Sequence, residues 1–217
     1  MAAKNNNVEK IIHTSTSEVY GTARYVPIDE KHPLQGQSPY SASKIGADMI
    51  ATSFQKSYDL PITIIRPFNS YGPRQSTRAI IPTIITQAIS RKIVRLGSIH
   101  PTRDFTFISD TIDGFIKIAE EQKSIGEVIN IGSSFEISIG NLAKKILTLS
   151  SSNAKIEVDK ERIRPKFSEV ERLYADCTKA KKLLNWKPNV KLDEGLKKTI
   201  RWISKNIERY KVDNYMI

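Results

Sequence analysis

The sequence predicts an α/β fold built around a parallel sheet. Short apolar runs alternate along the chain with longer segments of mixed polarity, a pattern typical of buried parallel strands separated by helices. The run from Val8 to Thr14 ends in hydroxyl residues, and the run from Pro61 to Arg66 ends at a proline. Open α/β sheets bind ligands at the carboxyl ends of their strands, so we expect the functional site to follow these two runs.

Local signals predict the elements in order. The first nine residues are typical of the last turn of a helix and an Asn-rich turn. After a polar loop over 22–38, Ser38 as N-cap and Pro39 at the first position begin a helix that runs to about Tyr58. Further helices are predicted at Ala79–Ser90, from a Ser109 cap to Gln122, at Ile139–Leu149, Thr178–Leu184 and Leu192–Asn206. Further strands are predicted at Ile93–Leu96, Asp104–Phe107, Glu127–Ile131 and Lys155–Val158.

Composition limits the class of protein. The chain has 217 residues, of which 39% are hydrophobic and 26% charged, as expected of one ordinary globular domain. Its single cysteine, Cys177, excludes an internal disulfide and fits a reducing compartment. No apolar run approaches the roughly 20 residues of a membrane span, and the N-terminus lacks the pattern of a signal peptide. We therefore predict a cytoplasmic protein with no membrane partner.

The formal charge of +11 raises the question of nucleic-acid binding. The lysines and arginines are scattered, however, and much of the excess lies in K-A-K-K and L-K-K-T-I-R-W near the C-terminus. Those segments are amphipathic helices whose charged faces meet solvent, so we predict no nucleic-acid partner. The three histidines show no metal-ligand spacing, and we predict no metal site.

The chemically informative stretch is S-T-S-E-V-Y-G, followed by Y-S-A-S-K at the start of a helix. Tyr40 and Lys44 are four residues apart and therefore share one helix face. An ammonium beside a phenol favours the phenolate, which can accept a proton from a sugar hydroxyl. Thr16, Ser17 and Glu18 add two hydroxyls and a carboxylate at a strand end. The same residues also fit a plainer interpretation, in which the hydroxyls cap the strand and the charged groups are surface residues.

Four segments together resemble the extended short-chain dehydrogenase/reductase family, and within it the sugar-nucleotide 4,6-dehydratases. They are I-I-H-T-S-T-S-E-V-Y-G, S-P-Y-S-A-S-K, R-P-F-N-S-Y-G-P-R-Q and T-R-D-F-T-F-I-S-D, and the resemblance covers most of the chain. It is strongest to the dehydratases of bacterial nonulosonic acid and N-acetylated deoxysugar pathways. It implies NAD as cofactor, a nucleotide-sugar substrate and a homodimer for the full-length enzyme.

The resemblance also implies the fold in more detail. We expect the C-terminal part of a Rossmann-type doubly wound parallel sheet, with a small α/β substrate-binding region. Residues 1–70 and 108–132 would be Rossmann-like, and 71–107 and 133–217 mainly substrate-binding. The sequence contains no G-x-G-x-x-G and no acidic residue for the ribose, features that the family carries in an N-terminal half of about 100 residues. We therefore expect one incomplete unit, the C-terminal two-thirds of a longer enzyme.

The resemblance assigns a role to each residue of the motif. Tyr40 would take the proton of the C4 hydroxyl while hydride passes to NAD, and Lys44 would keep the tyrosine ionised and bind the ribose, with Ser15 as a further cofactor contact. Thr16 would bond the C4 oxygen, and Glu18 would remove the C5 proton before water leaves from C6. Some dehydratases have an aspartic acid at the position of Ser17, where it protonates the leaving hydroxyl. Serine is too weak an acid for that step, so this sequence departs from their pattern.

Five residues are candidates for substrate binding by the same resemblance. Asn69 would touch the sugar or the diphosphate, although an asparagine at a strand end is also a common turn residue. Arg103 and Arg164 resemble arginines that hold a diphosphate, for which the planar guanidinium fork is well suited. Arg78 and Arg172 are further candidates, and either could equally be a surface ion-pair partner.

The function predicted from the sequence is NAD-dependent 4,6-dehydration of a nucleotide-activated hexose of the UDP-N-acetylhexosamine type, a lyase reaction that gives a 4-keto-6-deoxy sugar. A UDP-sugar 4-epimerase and a UDP-glucuronate decarboxylase remain as alternatives. Glu18 favours the dehydratase over the epimerase, which needs no base there, but separates it poorly from the decarboxylase. An inactive remnant or interface module is the alternative from another class, because a Tyr-Lys pair without NAD transfers no hydride.

Overall fold

The computed structural model describes residues 2–165 and 167–210, and over these ranges it has the predicted α/β architecture. The helices are α1 Ala2–Asn5, α2 Pro39–Tyr58, α3 Ile80–Ser90, α4 Ile108–Glu120, α5 Ile139–Leu149, α6 Thr178–Leu184 and α7 Leu192–Lys205. The strands are β1 Ile11–Thr14, β2 Ile62–Pro67, β3 Asn69–Tyr71, β4 Ile93–Leu96, β5 Thr102–Phe107, β6 Val128–Ile131, β7 Glu136–Ser138 and β8 Lys155–Val158. Within the described ranges, none of these helices is long and apolar enough to cross a membrane.

A parallel sheet of three strands has the order β1-β2-β6. Thr14 at the end of β1 lies opposite Ile65 of β2, and Arg66 of β2 lies opposite Asn130 of β6. The central strand β2 is buried over five of its six residues, which explains its run of β-branched side chains. The crossovers contain helices, as parallel strands require, and the predicted parallel α/β sheet is confirmed.

Two further sheets lie C-terminal to β2 in the chain. Strand β5 pairs parallel with β3 and antiparallel with β7, and β4 pairs parallel with β8. The sequence did not predict β3 or β7, because three-residue strands are too short to show a hydrophobic period. Strand β3 follows β2 after a single residue and brings Asn69 opposite Phe105 of β5.

Helix boundaries match the local signals in most places. Helix α2 begins at Pro39 with Ser38 as N-cap, and the Ser38 and Ser41 side chains form a capping box. The prediction of Ser109 as the cap of α4 is wrong, since α4 begins at Ile108 and is preceded by Phe107, which makes no side-chain capping bond. The acid in its first turn, Asp110, is buried and accepts the backbone N–H groups of Asn189 and Val190, and this contact holds the chain before α7 against the helix start.

Apolar side chains form two separate cores. The first core lies against the three-stranded sheet and contains Val19, Tyr20, Ile28, Ile65, Phe68, Ile118, Ile129, Ile131, Val170, Leu173, Ala175, Cys177, Ala180, Leu184 and Trp186. The second core lies among α3, α5, α7 and β3 to β5, and includes Tyr71, Ile84, Ile85, Leu96, Phe107, Leu142, Ile146, Leu196 and Ile203. Residues from the 170–186 segment pack in the first core. The division of the chain at residues 71, 108 and 133 stays a prediction.

A buried polar network ties α2 to the sheet. Asp48 of α2 is fully buried, and its Oδ2 accepts bonds from Arg66 Nε at 3.2 Å and Nη2 at 2.9 Å. Arg66 Nη1 donates to the Tyr20 hydroxyl at 3.0 Å, and that hydroxyl donates to Asn130 Oδ1 at 2.7 Å. His13 of β1 lies beside the same acid, with Nε2 3.1 Å from Asp48 Oδ1.

The protonation states of this network suit its bonds. Burial raises the pKa of Tyr20 to about 12, because desolvation outweighs the lowering effect of Arg66, and the phenol therefore stays protonated and donates to Asn130. Burial disfavours the charge on Arg66, but Tyr20 and Asp48 outweigh it, and the pKa of the guanidinium lies above its ordinary value. We call Asp48, Arg66, Tyr20 and Asn130 the buried network.

Asp48→Asn is expected to lower the free energy of unfolding by about 3 kcal/mol, because it leaves a buried guanidinium without its counter-charge. Urea unfolding followed by circular dichroism measures this change. Asp59→Asn is the matched control, since Asp59 is exposed just after the same helix in a left-handed conformation that asparagine tolerates. Equal stability of the two variants would contradict a structural role for the ion pair.

Candidate functional site

A pocket of about 720 Å³ opens at the carboxyl ends of β1 and β2. It is lined by Ser15, Thr16, Ser17, Glu18, Tyr40, Pro67, Phe68, Asn69, Ser70, Gln75, Ser76, Arg78 and Ala79. This position agrees with the general rule that open α/β sheets bind ligands at the carboxyl edge. The pocket thus brings together the T-S-E triplet, the helical tyrosine and two of the residues predicted to bind substrate.

The T-S-E triplet begins a short 3-10 helix, Ser17–Tyr20, directly after β1. Thr16 is its N-cap, and the Thr16 hydroxyl accepts the backbone N–H of Glu18 at 3.3 Å. Ser17 is buried, whereas Thr16 and Glu18 are half-buried and border the pocket. Tyr20 ends this helix, so the bond between its hydroxyl and Arg66 anchors the segment that carries Glu18.

Gly21 follows this helix with a positive φ of 62°, which disfavours any residue with a Cβ. A Cβ at this position would also lie 2.6 Å from Gln37 Oε1 and 2.9 Å from Gln35 Cβ. The turn that follows Tyr20 at the end of the 3-10 helix therefore requires glycine.

Tyr40 and Lys44 lie in the first two turns of α2, as predicted. Tyr40 is 53% exposed and lines the pocket, because the capped helix start leaves its second residue facing outward. Lys44 does not line the pocket, and its Nζ donates to the backbone carbonyl of Thr14 at 3.1 Å. This bond connects α2 to the end of β1, one helical turn before Asp48 makes the deeper connection to β2.

Three pocket residues have a buried polar atom without a hydrogen-bond partner. These atoms are Ser15 Oγ, Asn69 Oδ1 and Gln75 Oε1. The orientation of the Gln75 amide is fixed, since its Nε2 donates to the Ser70 carbonyl at 2.8 Å. Unpaired buried polar atoms are costly and point to a ligand that completes them. Two amide oxygens that lack donors favour a ligand with hydroxyl or N–H groups, such as a hexose.

The predicted arginines are in different environments. Arg78 is exposed at the rim of the pocket, just before α3. Arg103 of β5 is 8% exposed and pairs with Glu169, and Arg164 is exposed close to it. Arg172 is exposed and makes a two-pronged ion pair with Glu136 of β7. The pocket therefore includes Arg78 in its wall but not Arg103, Arg164 or Arg172.

Sequence reasoning missed several residues of this region. Gln75 was not singled out, although it follows the R-P-F-N-S-Y-G-P-R segment that carries Asn69. The buried network was also missed, and its one sequence signal is that Asp48 continues the stripe of Tyr40 and Lys44 at a spacing of four. Among the described residues, no group of three or more His, Cys, Asp or Glu side chains could hold a metal ion.

The chain matches a protein family described as GDP-mannose 4,6 dehydratase over residues 1–199. Among curated proteins, it is 35% identical to the human dTDP-D-glucose 4,6-dehydratase over 218 aligned positions, which cover 97% of this chain and 61% of that protein. It is 34% identical to a UDP-glucuronate 4-epimerase of Thermodesulfobacterium geofontis over 96% of this chain and 63% of that protein.

A solved structure similar to this chain is the dTDP-glucose 4,6-dehydratase of Bacillus anthracis in complex with NAD. It superposes with a TM-score of 0.86 at 32% identity, and the match covers 93% of this chain and 64% of that one. The chain therefore spans less than two thirds of the length of these relatives. Because the family match extends over almost the whole chain, this protein belongs to the GDP-mannose 4,6-dehydratase family, among the NAD-dependent epimerases and dehydratases of the extended short-chain dehydrogenase/reductases.

Proposed function

We propose that this chain forms the catalytic and substrate-binding part of an NAD-dependent 4,6-dehydratase that acts on a UDP-N-acetylhexosamine. The observation that carries the proposal is the presence of Glu18 and Tyr40 in the wall of one pocket. A dehydratase needs two bases, one for the C4 hydroxyl and one for the C5 proton. A phenol and a carboxylate on two different elements of one site supply both.

In this proposal each residue has a defined task. Tyr40 accepts the proton of the C4 hydroxyl, Lys44 supports its ionised form and binds the ribose, and Thr16 bonds the C4 oxygen. Glu18 then removes the C5 proton, which the C4 ketone has made acidic, and passes this proton to the C6 hydroxyl, which leaves as water. NAD, when bound, supplies the hydride chemistry of the cycle and is not consumed. Ser17 is buried and, as an alcohol, does not serve as the acid for the departing hydroxyl.

The cofactor site is shared in this proposal. Tyr40, Lys44 and Ser15 contribute to it, and the unpaired Ser15 hydroxyl supports a ligand contact at this position. The glycine-rich turn that lets a backbone approach the pyrophosphate does not occur in the sequence. Residues 1–70 and 108–132 would serve the cofactor side, and 71–107 with 133–217 mainly the substrate side, with Arg78, Arg103, Arg164 and Arg172 as the candidate diphosphate ligands.

The second candidate is a UDP-glucuronate-converting enzyme. Asn69 Oδ1 and Gln75 Oε1 both require donors. The hydroxyl groups of any hexose and the N–H of an acetamido group bring such donors, which supports a hexose substrate and is compatible with the N-acetylhexosamine. Product analysis against a panel of UDP-, GDP- and dTDP-hexoses tests the assignment, and conversion of UDP-glucuronate alone would overturn it.

We also propose that the enzyme works as a cytoplasmic homodimer. The side chains of Met49 and Ile50 on α2 are more than half exposed, and apolar groups of this kind support a protein–protein contact at this helix. The single free cysteine, Cys177, is buried, and its thiol fits a reducing compartment.

Tyr40→Phe is expected to lower kcat by at least about 100-fold with little change in substrate affinity, because the phenolate is needed only when the C4 proton moves. Steady-state kinetics of the natural enzyme measures kcat and the effect on substrate affinity. Tyr58→Phe, at the exposed far end of the same helix, is the matched control and should keep full activity. Activity of Tyr40→Phe within about tenfold of the wild type would rule out Tyr40 as the base.

Glu18→Gln is expected to separate the two half-reactions. The amide cannot accept the C5 proton, whereas oxidation at C4 does not involve this residue. NADH should therefore accumulate on the enzyme, where its absorbance detects it. Glu9→Gln, an exposed change of the same kind before β1, is the control. Elimination of water at the normal rate by Glu18→Gln would show that another group is the C5 base.

The 217-residue chain by itself is expected neither to bind NAD nor to remain monomeric. The glycine-rich turn is absent from its sequence, and within the described residues β1 has a strand on one side only. An apolar strand edge pairs readily with another chain, so aggregated or dimerised material is expected. Sedimentation and titration calorimetry check the two parts. A monomeric chain with a micromolar NAD site would contradict the prediction.

A further inference from the structure

Two guanidinium groups and two carboxylates form one electrostatic cluster beside the pocket. Arg103 lies at its centre, and burial lowers the pKa of its guanidinium, while the charges of Glu18 and Glu169 oppose this effect and that of Arg164 adds to it. Glu18 also lines the pocket, so the cluster reaches the site through this residue. We call Arg103, Glu18, Glu169 and Arg164 the charge cluster.

The Arg103–Glu169 ion pair has a loose geometry. Arg103 Nη2 donates to Glu169 Oε1 at 3.2 Å, and Nη1 donates to the Thr102 carbonyl at 3.0 Å. Two of the five guanidinium N–H groups therefore have partners among the described residues. Arg164 forms neither a hydrogen bond nor an ion pair within residues 2–165 and 167–210. The cluster thus keeps several donors for an anion.

The neighbouring Arg172–Glu136 pair provides a direct comparison. Arg172 Nε donates to both carboxylate oxygens of Glu136, at 3.1 Å and 2.9 Å, and Nη2 makes a third contact. Glu136 also accepts the Thr102 hydroxyl at 2.7 Å. Arg172 therefore makes three contacts with its acid, whereas Arg103 makes a single bond to Glu169, which a stronger acceptor can replace.

A buried guanidinium needs a counter-charge, and within the protein Glu169 supplies it. The Glu169 side chain is 13% exposed, and its backbone is held by Thr22, whose hydroxyl donates to the Glu169 carbonyl at 3.4 Å. The carboxylate is joined to this fixed backbone by rotatable bonds and makes one contact. The diphosphate of a nucleotide sugar carries two negative charges and more acceptor oxygens than one carboxylate, and so is the stronger partner for a guanidinium.

We propose that Glu169 is an internal competitor for the diphosphate of the substrate: its carboxylate occupies Arg103 in the empty site, and the diphosphate must displace it to bind. The inference rests on the proposed function for the presence of a diphosphate at Arg103. Glu169 thereby stabilises the buried arginine before substrate arrives and weakens the affinity for substrate and product alike. It sets affinity without taking part in the chemistry.

Titration calorimetry of the natural protein with UDP and with inorganic pyrophosphate tests this role. In Glu169→Gln, which keeps the side-chain shape, the Kd of both probes should fall about fivefold to tenfold at low salt. Glu171→Gln removes the same charge from an exposed position two residues away and should change the Kd less than about twofold. Thermal unfolding of both variants checks that each is folded.

Arg103→Gln completes the experiment as a double-mutant cycle. It should weaken both probes, and Glu169→Gln added to it should have no further effect, since the carboxylate acts through the arginine. If Arg103→Gln weakens binding but Glu169→Gln leaves the Kd unchanged or raises it, the competitor role is wrong and the proposed function stands. If Arg103→Gln leaves binding unchanged, Arg103 holds no diphosphate, and both that part of the proposed function and the competitor role are overturned.

Discussion

The site depends on the buried ion pair between Asp48 and Arg66. The two proposed bases lie on separate elements, Glu18 on the 3-10 helix after β1 and Tyr40 on α2. Arg66 contacts both elements at once, through Asp48 of α2 and through the Tyr20 hydroxyl at the end of the 3-10 helix. One rigid guanidinium plane therefore fixes the distance between the two bases. Its burial in the centre of the sheet keeps water from weakening these bonds.

Much of the fold could be predicted from the sequence because its signals are local. Ser38 and Pro39 define the start of α2 by capping chemistry alone, and the predicted range agrees with the structure at both ends. Strands β3 and β7 could not be predicted, since they exist only through pairing with β5. The prediction for α4 relied on a side-chain cap, but Phe107 precedes this helix and makes no capping bond, so no local signal marks its start.

The candidate site divides in a similar way. Thr16, Ser17 and Glu18 are consecutive, and Tyr40 follows a recognisable helix start, so their common position could be predicted from strand-end and helix rules. The ion-pair contacts of each arginine could not be predicted, because they depend on which acid lies opposite it in the fold. Arg103 and Arg172 look alike in sequence, yet one has a single contact with its acid and the other has three.

The two cores differ in one practical respect. The chain has two tryptophans, and each belongs to a different core. Trp186 is fully buried in the first core and donates its indole N–H to the Asp110 carbonyl, whereas Trp202 is half-buried against the second core with Tyr210 at its edge. Each core therefore contains its own fluorophore. Replacing one tryptophan by phenylalanine leaves an emission signal from the other core alone, so the order in which the two cores melt can be observed directly.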